Sequence, residues 1–354
     1  MSDKKADHTY TYPNPENDPD RRDVLRNRFG FQTQAELNRA EYRITNKRMA
    51  DIEQGLGPAG KFDTAHLKSI HKYLFEPVYE WAGHMRNERP VLDGKPVEPV
   101  EFMSKNETTF LPASRLNMGL NEAFRPIKNP DVLKGSTAEQ FSAVAGQVMS
   151  ELNFVHPFRE GNGRAQEAFV VTLGRAYGHD VDFSVISKPR LIAASIASTN
   201  DPASPAMRHL IADATDPGRT AAIKTAFTHL RQQGEEPLEH DVRTARPGEQ
   251  VTGSIIGLAK SNASLVTDAG IVVVPKQDLP RQNAVVGDDV TLKVTSAFVA
   301  TPEKRSLPDA RPDASQRASN YWSGQAQKSQ GAQTSSAPTE RVVPTAKPQG
   351  PKLR

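Results

Sequence analysis

The chain contains no cysteine among its 354 residues. This absence excludes disulfide bonds, thiolate nucleophiles and cysteine-ligated zinc sites, but it does not fix the compartment. Long apolar runs are also missing, since no stretch approaches the ~18 residues of a membrane-spanning helix. The polar start MSDKKADHTY lacks the apolar core of a conventional signal peptide. We therefore expect no membrane-embedded segment and no conventional export signal.

Apolar residues are scarce, because they make up only 36% of the chain. This low fraction indicates that part of the length is unstructured. The net charge of +3 is unevenly placed, since residues 303–354 hold nine Lys and Arg against four Asp and Glu. A basic tail of this kind is typical of segments that contact nucleic acid or a membrane, or that serve as an address label.

The length favours two folded domains rather than one. Shifts in composition divide the chain into a loose polar arm, a helical domain, a linker, a β domain and a disordered basic tail. The corresponding residues are 1–20, 21–232, 233–249, 250–300 and 301–354.

The helical domain shows apolar residues at helical spacing. The first such segments are 35–52 and 62–75, and the second has Asp63 or Thr64 as its N-cap. The short, Pro-bounded stretch 89–99 is centred on Asp93-Gly94, a strong two-residue turn signal. We expect a small β-hairpin there, with a plain surface loop as the alternative.

The clearest helix is predicted to begin at Ser136, because Ser136–Glu139 has the pattern of a capping box. An apolar stripe at helical spacing follows it. A second helix begins near Gly163 and runs towards Tyr177. The tight loop between them contains Pro157 and two glycines. Two buried helices would hold such a loop rigidly, which suits a functional site.

The β domain is predicted from short Val- and Ile-rich runs that Gly, Asp or Pro interrupt. Four or five strands in so short a stretch suggest a small barrel of the OB kind. Phe298 is the only aromatic residue between Val251 and Val299. Single-strand binders usually stack bases on several aromatic rings, so nucleic acid is an unlikely partner.

The loop segment 156–164, HPFREGNGR, combines the groups that phosphoryl-type transfer needs. His156 is suited to take a proton near neutral pH, and Glu160 is suited to hold Mg²⁺ through its carboxylate oxygens. Each residue alone has a plain structural explanation. An isolated His after an apolar helix is more often a core or cap residue, and an isolated Glu is usually a solvated surface acid.

The same segment offers a phosphate-binding helix start. Gly161, Asn162 and Gly163 open the next helix and would aim backbone N–H groups at phosphate oxygens. Arg164 adds a fixed cation in the first helical turn. A Gly-Asn-Gly tripeptide alone is usually no more than a turn.

The complete nonapeptide resembles the Fic signature, His-X-Phe-X-(Asp/Glu)-Gly-Asn-Gly-Arg, and matches it at every fixed position. The resemblance implies transfer of AMP from ATP to a Ser, Thr or Tyr hydroxyl of a target protein. It implies His156 as the general base, Phe158 as the anchor of the loop, and Glu160 as the Mg²⁺ ligand. The residues that it assigns to the nucleotide phosphates are Gly161, Asn162, Gly163 and Arg164.

A second segment, LFEPVYEWAGHMR at 74–86, is similar to the element that precedes the flap of Fic proteins. The hairpin expected at Asp93-Gly94 falls where the family places this flap, which pairs with an extended target segment. The resemblance covers about residues 20–230. The expected fold is therefore a mainly α Fic fold with a small hairpin flap, followed by a small all-β OB-like barrel.

The layout of a Fic domain, an OB-like domain and a basic end resembles the Bartonella-type effectors that type IV secretion exports. Those effectors normally continue into a longer helical delivery domain, and only a short polar tail follows here. The implied location is the bacterial cytoplasm, with secretion into a host cell as the further option.

Two features depart from the family pattern. Glu167 occupies the position of a second Arg that grips the γ-phosphate in many members, and an acid there should repel a triphosphate. The inhibitory Ser/Thr-X-X-X-Glu-Gly/Asn helix also has no convincing copy. The chain is then either unrestrained or controlled by a separate small antitoxin-like protein. The alternatives to AMP transfer are a weak or silent scaffold that acts as a binding protein, and an enzyme with another nucleotide donor.

Overall fold

The computed structural model describes residues 9–105, 108–281 and 283–299. The tail predicted at 301–354 lies outside these residues. Eight helices and nine strands are placed within them: α1 Gln34–Glu53, α2 Thr64–Phe75, β1 Val91–Leu92, β2 Lys95–Pro96, β3 Ser104–Lys105, β4 Thr108–Thr109, α3 Leu116–Phe124, α4 Ala138–Val155, α5 Asn162–Ala176, α6 Lys188–Asn200, α7 Ala206–Thr215, α8 Pro217–Gln232, β5 Val242–Thr244, β6 Gln250–Leu258, β7 Asn262–Thr267, β8 Gly270–Pro275 and β9 Asp289–Lys293.

Side-chain caps fix where the predicted helices begin. The Asp63 carboxylate accepts a hydrogen bond from the His66 amide, so Asp63 rather than Thr64 caps α2. The capping box of α4 joins Thr137 and Gln140, one residue later than the box predicted from Ser136. Ser136 does not cap because its hydroxyl donates to the Leu133 carbonyl.

Helix α4 lies at the centre of the helical part and packs against α3, α5, α6 and α7. Most of its apolar stripe is buried, in agreement with the predicted periodicity. The buried residues of this stripe are Phe141, Ala145, Val148, Met149 and Leu152. Each described helix is too short or too polar to cross a bilayer.

The described part of the expected arm, residues 9–20, packs on the helical body. The Tyr10 side chain is buried, and its ring meets the edge of Trp81 at a centroid distance of 5.8 Å. Thr11 forms an isolated antiparallel bridge with Leu25. Residues 1–8 lie outside the described part of the chain.

Two short hairpins follow α2. The predicted one is confirmed: Leu92 pairs with Lys95, while Asp93 and Gly94 both adopt positive φ, as a type I′ turn requires. The second joins β3 to β4, with Ser104 opposite Thr109. The polar sequence around this second hairpin lacks the apolar alternation that marks a strand, so sequence analysis missed it.

Strands β5 to β9 form one five-stranded sheet in the order β5-β8-β7-β6-β9. All pairs are antiparallel except β5 with β8. The segment 233–249, expected as a linker, therefore contributes the edge strand β5. The two edge strands do not pair with each other in the described residues, so the sheet is not closed into a barrel.

The sheet is held against the helical part by a buried polar cluster around Asp213 of α7. The carboxylate of Asp213 is fully buried and accepts hydrogen bonds from the Thr244 hydroxyl and from Arg246, the latter at 2.9 Å. Apolar side chains of α8, such as Ile223 and Phe227, pack in the same layer as sheet residues. Helix α8 and the sheet therefore share one apolar cluster.

Candidate functional site

His156 ends helix α4 in the left-handed conformation, with φ 48° and ψ 60°. Its amide still donates to the Leu152 carbonyl at 3.0 Å, and Pro157 then prevents the helix from continuing. A non-glycine residue in this conformation carries strain on the order of 1–3 kcal/mol. The chain turns here, so the imidazole projects beyond the end of the helix.

The His156 ring is stacked on the ring of Phe110, which follows β4. The ring centroids lie 3.7 Å apart and the planes differ by 7°. Burial lowers the pKa of His156 to about 4, while Glu160 raises it and Lys105 and Arg86 lower it. The imidazole is therefore neutral at pH 7 and able to accept a proton. Sequence analysis gave no signal for the role of Phe110, which is distant from the motif.

Asn162 closes the loop between α4 and α5. Its side-chain oxygen accepts from the Phe158 amide at 2.9 Å, and its side-chain nitrogen donates to the Phe158 carbonyl at 2.8 Å. Both hydrogen-bonding ends of the buried amide are thus used within the loop. The Asn162 side chain shapes the loop, and only its backbone N–H remains for a phosphate.

His71 supports the loop through a hydrogen bond and ring stacking. Sequence analysis did not predict this role. Its Nδ1 accepts from the Gly83 amide at 2.9 Å, so its Nε2 carries the proton and donates to the Glu160 carbonyl at 3.0 Å. Its ring stacks on Phe158 at 3.8 Å. Burial lowers the pKa of His71 to about 3, which keeps it neutral.

Helix α5 begins directly after the loop, with Gly161 as its N-cap at φ 80°. A Cβ atom on Gly161 would lie 2.3 Å from the Phe75 ring, so only glycine fits. The N-cap provides no side-chain hydrogen bond to the first-turn amides. The start of an α-helix directs backbone N–H groups outwards along its axis, an arrangement that can bind an anion.

Glu160 lies at this helix start with 46% of its side chain exposed. One carboxylate oxygen accepts from the Gly161 amide at 2.9 Å. The described residues contain no group of three or more His, Asp and Glu side chains that could hold a metal. Mg²⁺ commonly binds one or two carboxylates and completes its shell with water and substrate phosphates, so a single exposed Glu160 fits this ion.

Arg164 is buried and points towards α1 rather than into solvent. It donates to Glu41 at 2.5 Å and to the Thr45 hydroxyl at 3.1 Å, and its guanidinium lies 4.6 Å from the centre of the Phe75 ring. Its distance to Glu160 is 3.9 Å. The structure thus places the predicted phosphate ligand beside the site, held by an acidic partner that sequence analysis did not identify.

Glu167 lies one turn after Arg164 on α5 and is partly buried. Burial raises its pKa to about 7, Arg164 lowers it, and Glu53 of α1 raises it. A helical side chain covers the surface over the preceding turn, which here is the turn containing Gly163. We therefore expect the carboxyl group to point towards the start of α5, and its raised pKa favours the protonated form.

The sequence of the chain is similar to that of known proteins. Residues 61–173 match the family model described as Fic/DOC. The chain is 29% identical over 296 residues to a protein adenylyltransferase of Bartonella henselae, covering 82% of this chain and 53% of that protein. This chain thus spans about half the length of that curated relative.

Solved structures agree with the sequence match. The type IV secretion system effector protein BepA superposes with a TM-score of 0.70 at 28% identity, covering 81% of this chain and 96% of that chain. The BepC effector of Bartonella tribocorum, solved with bound AMPPNP, has a TM-score of 0.53 at 30% identity, covering 58% and 95%. The helical Fic fold expected from the signature is confirmed, and the chain belongs to the Fic/DOC family.

Proposed function

We propose that the chain is a protein adenylyltransferase that moves AMP from ATP onto a Ser, Thr or Tyr hydroxyl of a target protein. The observation that carries this proposal is the position of a neutral His156 ring beside the uncapped start of α5. A base and an anion site then share one loop. The names of the relatives and the AMPPNP bound to BepC support ATP as the donor.

In the proposed mechanism, His156 takes the proton of the target hydroxyl as its oxygen attacks the α-phosphorus of ATP. A new P–O bond forms in line with the bond to pyrophosphate, which breaks and releases pyrophosphate. The first-turn amides of α5, from Asn162 and Gly163, hold phosphate oxygens during this exchange. The lowered pKa of His156 keeps the base unprotonated at neutral pH.

We propose that Glu160 holds Mg²⁺ together with the nucleotide phosphates. Bound there, Mg²⁺ would offset negative charge on the phosphates. The Arg164 guanidinium, within 3.9 Å of Glu160, is near enough to contribute a further positive charge. Its pairing with Glu41 fixes its position and leaves it less free to grip a phosphate alone.

Target docking is assigned to hairpins rather than to helices, because a hairpin edge can add an extended segment as a further strand. The hairpin at Asp93-Gly94 was the expected docking element. The second hairpin, β3–β4, supports a different choice, since Phe110 at its end contacts the His156 ring. We therefore propose that the target segment pairs with β3–β4, with the Asp93-Gly94 hairpin as a secondary contact.

The finer assignments for the rest of the chain are also proposals. An OB-like barrel is proposed from the number and shortness of strands β5 to β9. The backbone hydrogen bonds of Gly248 and Glu249 with Val294 extend the pairing of β6 with β9. Type IV secretion into a host cell is supported by the similarity to BepA. A small antitoxin-like inhibitor remains a proposed partner.

One observation favours a second candidate function. Glu167, near the phosphates' expected position, would weaken binding of ATP when ionised. The chain would then act as a weak enzyme, use a donor other than ATP, or serve as a silent binding scaffold.

Labelling with differently marked ATP tests the proposal. The full chain is incubated with Mg²⁺ and either α-³²P-ATP or γ-³²P-ATP in bacterial and eukaryotic lysates. AMP transfer predicts a labelled protein band from the α-label only. A band from the γ-label would indicate phosphoryl transfer, and a band from α-³²P-UTP or α-³²P-GTP but not from α-³²P-ATP would indicate another donor.

A further inference from the structure

The guanidinium of Arg86 connects the second hairpin to the catalytic loop. Arg86 follows the Trp-Ala-Gly segment and is completely buried. Burial lowers the pKa of its guanidinium, while Glu101 raises it. Among the described residues, no carboxylate lies within ion-pair distance of this buried cation, and its partners are backbone carbonyl groups.

All five N–H donors of an arginine can be assigned here. Nε donates to the His156 carbonyl at 2.9 Å, and one terminal nitrogen donates to Val100 and Glu101 at 2.9 and 3.0 Å. The other terminal nitrogen donates to the Leu111 carbonyl and, at 3.4 Å, to that of Val155. These acceptors lie just before β3, just after β4 and at the end of α4. The segments before β3 and after β4 form the base of the second hairpin.

The backbone of Arg86 makes the same connection. Its amide donates to the Pro157 carbonyl at 2.8 Å, and its carbonyl accepts from the Val100 amide at 2.8 Å. Independently, the Leu111 amide donates to the Phe154 carbonyl at 3.1 Å. The hairpin base and the catalytic loop therefore share one buried hydrogen-bond network.

We infer that Arg86 is a positioning residue, which sets the hairpin against α4 so that Phe110 holds the His156 ring in its productive orientation. The inference deepens the proposed function, because it makes target docking at the hairpin and proton removal by His156 depend on one side chain. A guanidinium is required, since a Lys ammonium has three donors and cannot span the acceptors.

The test is Arg86→Lys, with Arg190→Lys as the control for placing Lys at another buried arginine outside the site. The first readout is the ring ¹H–¹³C NMR signal of His156 in ¹³C-histidine-labelled protein, assigned by its loss in His156→Ala. We expect its ring-current shift from Phe110 to disappear in Arg86→Lys and to persist in Arg190→Lys. This readout needs neither nucleotide nor target, so it stands even if the proposed function fails.

The second readout is the rate of α-³²P label transfer in a lysate that supports the wild type, beside AMPPNP binding by calorimetry. We expect transfer to fall at least tenfold while AMPPNP affinity stays within about threefold, since the change acts on the orientation of the base. An unchanged His156 signal with unchanged transfer would overturn the inference.

If Arg86→Lys does not fold, Phe110→Ala provides the test. The inference then predicts that the Arg86 network keeps the hairpin docked without the ring stack, so hydrogen exchange of the Leu111 amide stays within about tenfold of wild type. A loss of protection above about a hundredfold would show that Arg86 does not hold the hairpin.

Discussion

The Phe110 ring lies flat on the His156 ring, with centroids 3.7 Å apart and planes within 7°. The contact covers one face of the imidazole and removes it from water. Burial is the largest cause of the lowered pKa of His156, about 4 against an ordinary value of 6.5. A side chain on a hairpin thus keeps the proposed base neutral.

Phe110→Ala should therefore raise the pKa of His156 towards 6.5, because the exposed imidazolium is better solvated. In the wild type, AMP transfer should remain level from pH 8 to about 5 and fall only as pH approaches 4. In the variant, the acidic limb should move upwards by at least one pH unit. An NMR titration of the labelled histidine ring measures this directly.

Phe102→Ala is the control, since Phe102 lies just before β3 and is 74% exposed. It should leave the pKa of His156 unchanged. A wild-type pKa near 6.5, or an equal shift in both variants, would contradict the role assigned to Phe110.

Glu167→Gln should strengthen ATP binding above pH 7, because it removes a carboxylate beside the proposed phosphate site. The folded pKa of Glu167, about 7, exceeds its ordinary value of 4.5. The native state therefore keeps a proton that the unfolded state loses, and this contribution to stability declines as pH rises from 4.5 to 7. Gln should remove that decline.

Calorimetry with AMPPNP at pH 6 and 8 measures the first effect, and urea unfolding from pH 4.5 to 7 measures the second. Glu139→Gln, an exposed acid in the first turn of α4, is the control and should change neither. Equal AMPPNP affinity of wild type and Glu167→Gln at pH 8 would show that Glu167 does not face the phosphates.

Gly161→Ala should destabilise the protein and abolish nucleotide binding. The added Cβ would lie 2.3 Å from the Phe75 ring, and the alanine backbone would have to adopt φ 80°. Overpacking of this kind typically costs about 1–3 kcal/mol, and the positive φ adds to it. Gly163→Ala is the matched control for stability, because a Cβ at Gly163 meets no atom within 4 Å. Equal unfolding free energies for the two variants would contradict this account of the loop.

Asp213→Ala should loosen the attachment of the sheet to the helices. Removal of the buried carboxylate leaves Arg246 and the Thr244 hydroxyl without a major partner. Breaking a buried pair in this way costs about 3–5 kcal/mol. Glu98→Gln, which breaks an exposed pair with Arg89, should cost under about 1 kcal/mol. Urea unfolding compares them, and a loss below about 1 kcal/mol in Asp213→Ala would refute the role of Asp213.

Helices α1, α2, α4 and α5 could be predicted because caps and apolar spacing are local signals, as at Asp63 and in the α4 stripe. The candidate site residues of 156–164 could likewise be recognised, because they are consecutive in the sequence. The support of the site could not be predicted in this way. Phe110, His71, Arg86 and Glu41 reach the loop from other elements, through contacts that no local spacing encodes.

The sheet shows the same limit. Strands β6 to β9 follow Val- and Ile-rich runs, whereas β5 is only three residues long and lies in a polar segment. β5 pairs in parallel with β8, although β6 and β7 lie between them in the sequence. Asp213 of α7 also holds Thr244 of β5 in place. Because this pairing is long-range, local sequence signals could not show that the segment expected to be a linker contains a strand.

The central claim is that His156 removes the proton from the target hydroxyl during AMP transfer. Its most direct test is the rate of label transfer from α-³²P-ATP by wild type and His156→Ala, after circular dichroism and AMPPNP binding have shown that the variant is folded and binds nucleotide. The labelled target band should disappear or weaken by at least about a hundredfold, within the range for loss of a general base. A band of wild-type intensity from His156→Ala would contradict the claim.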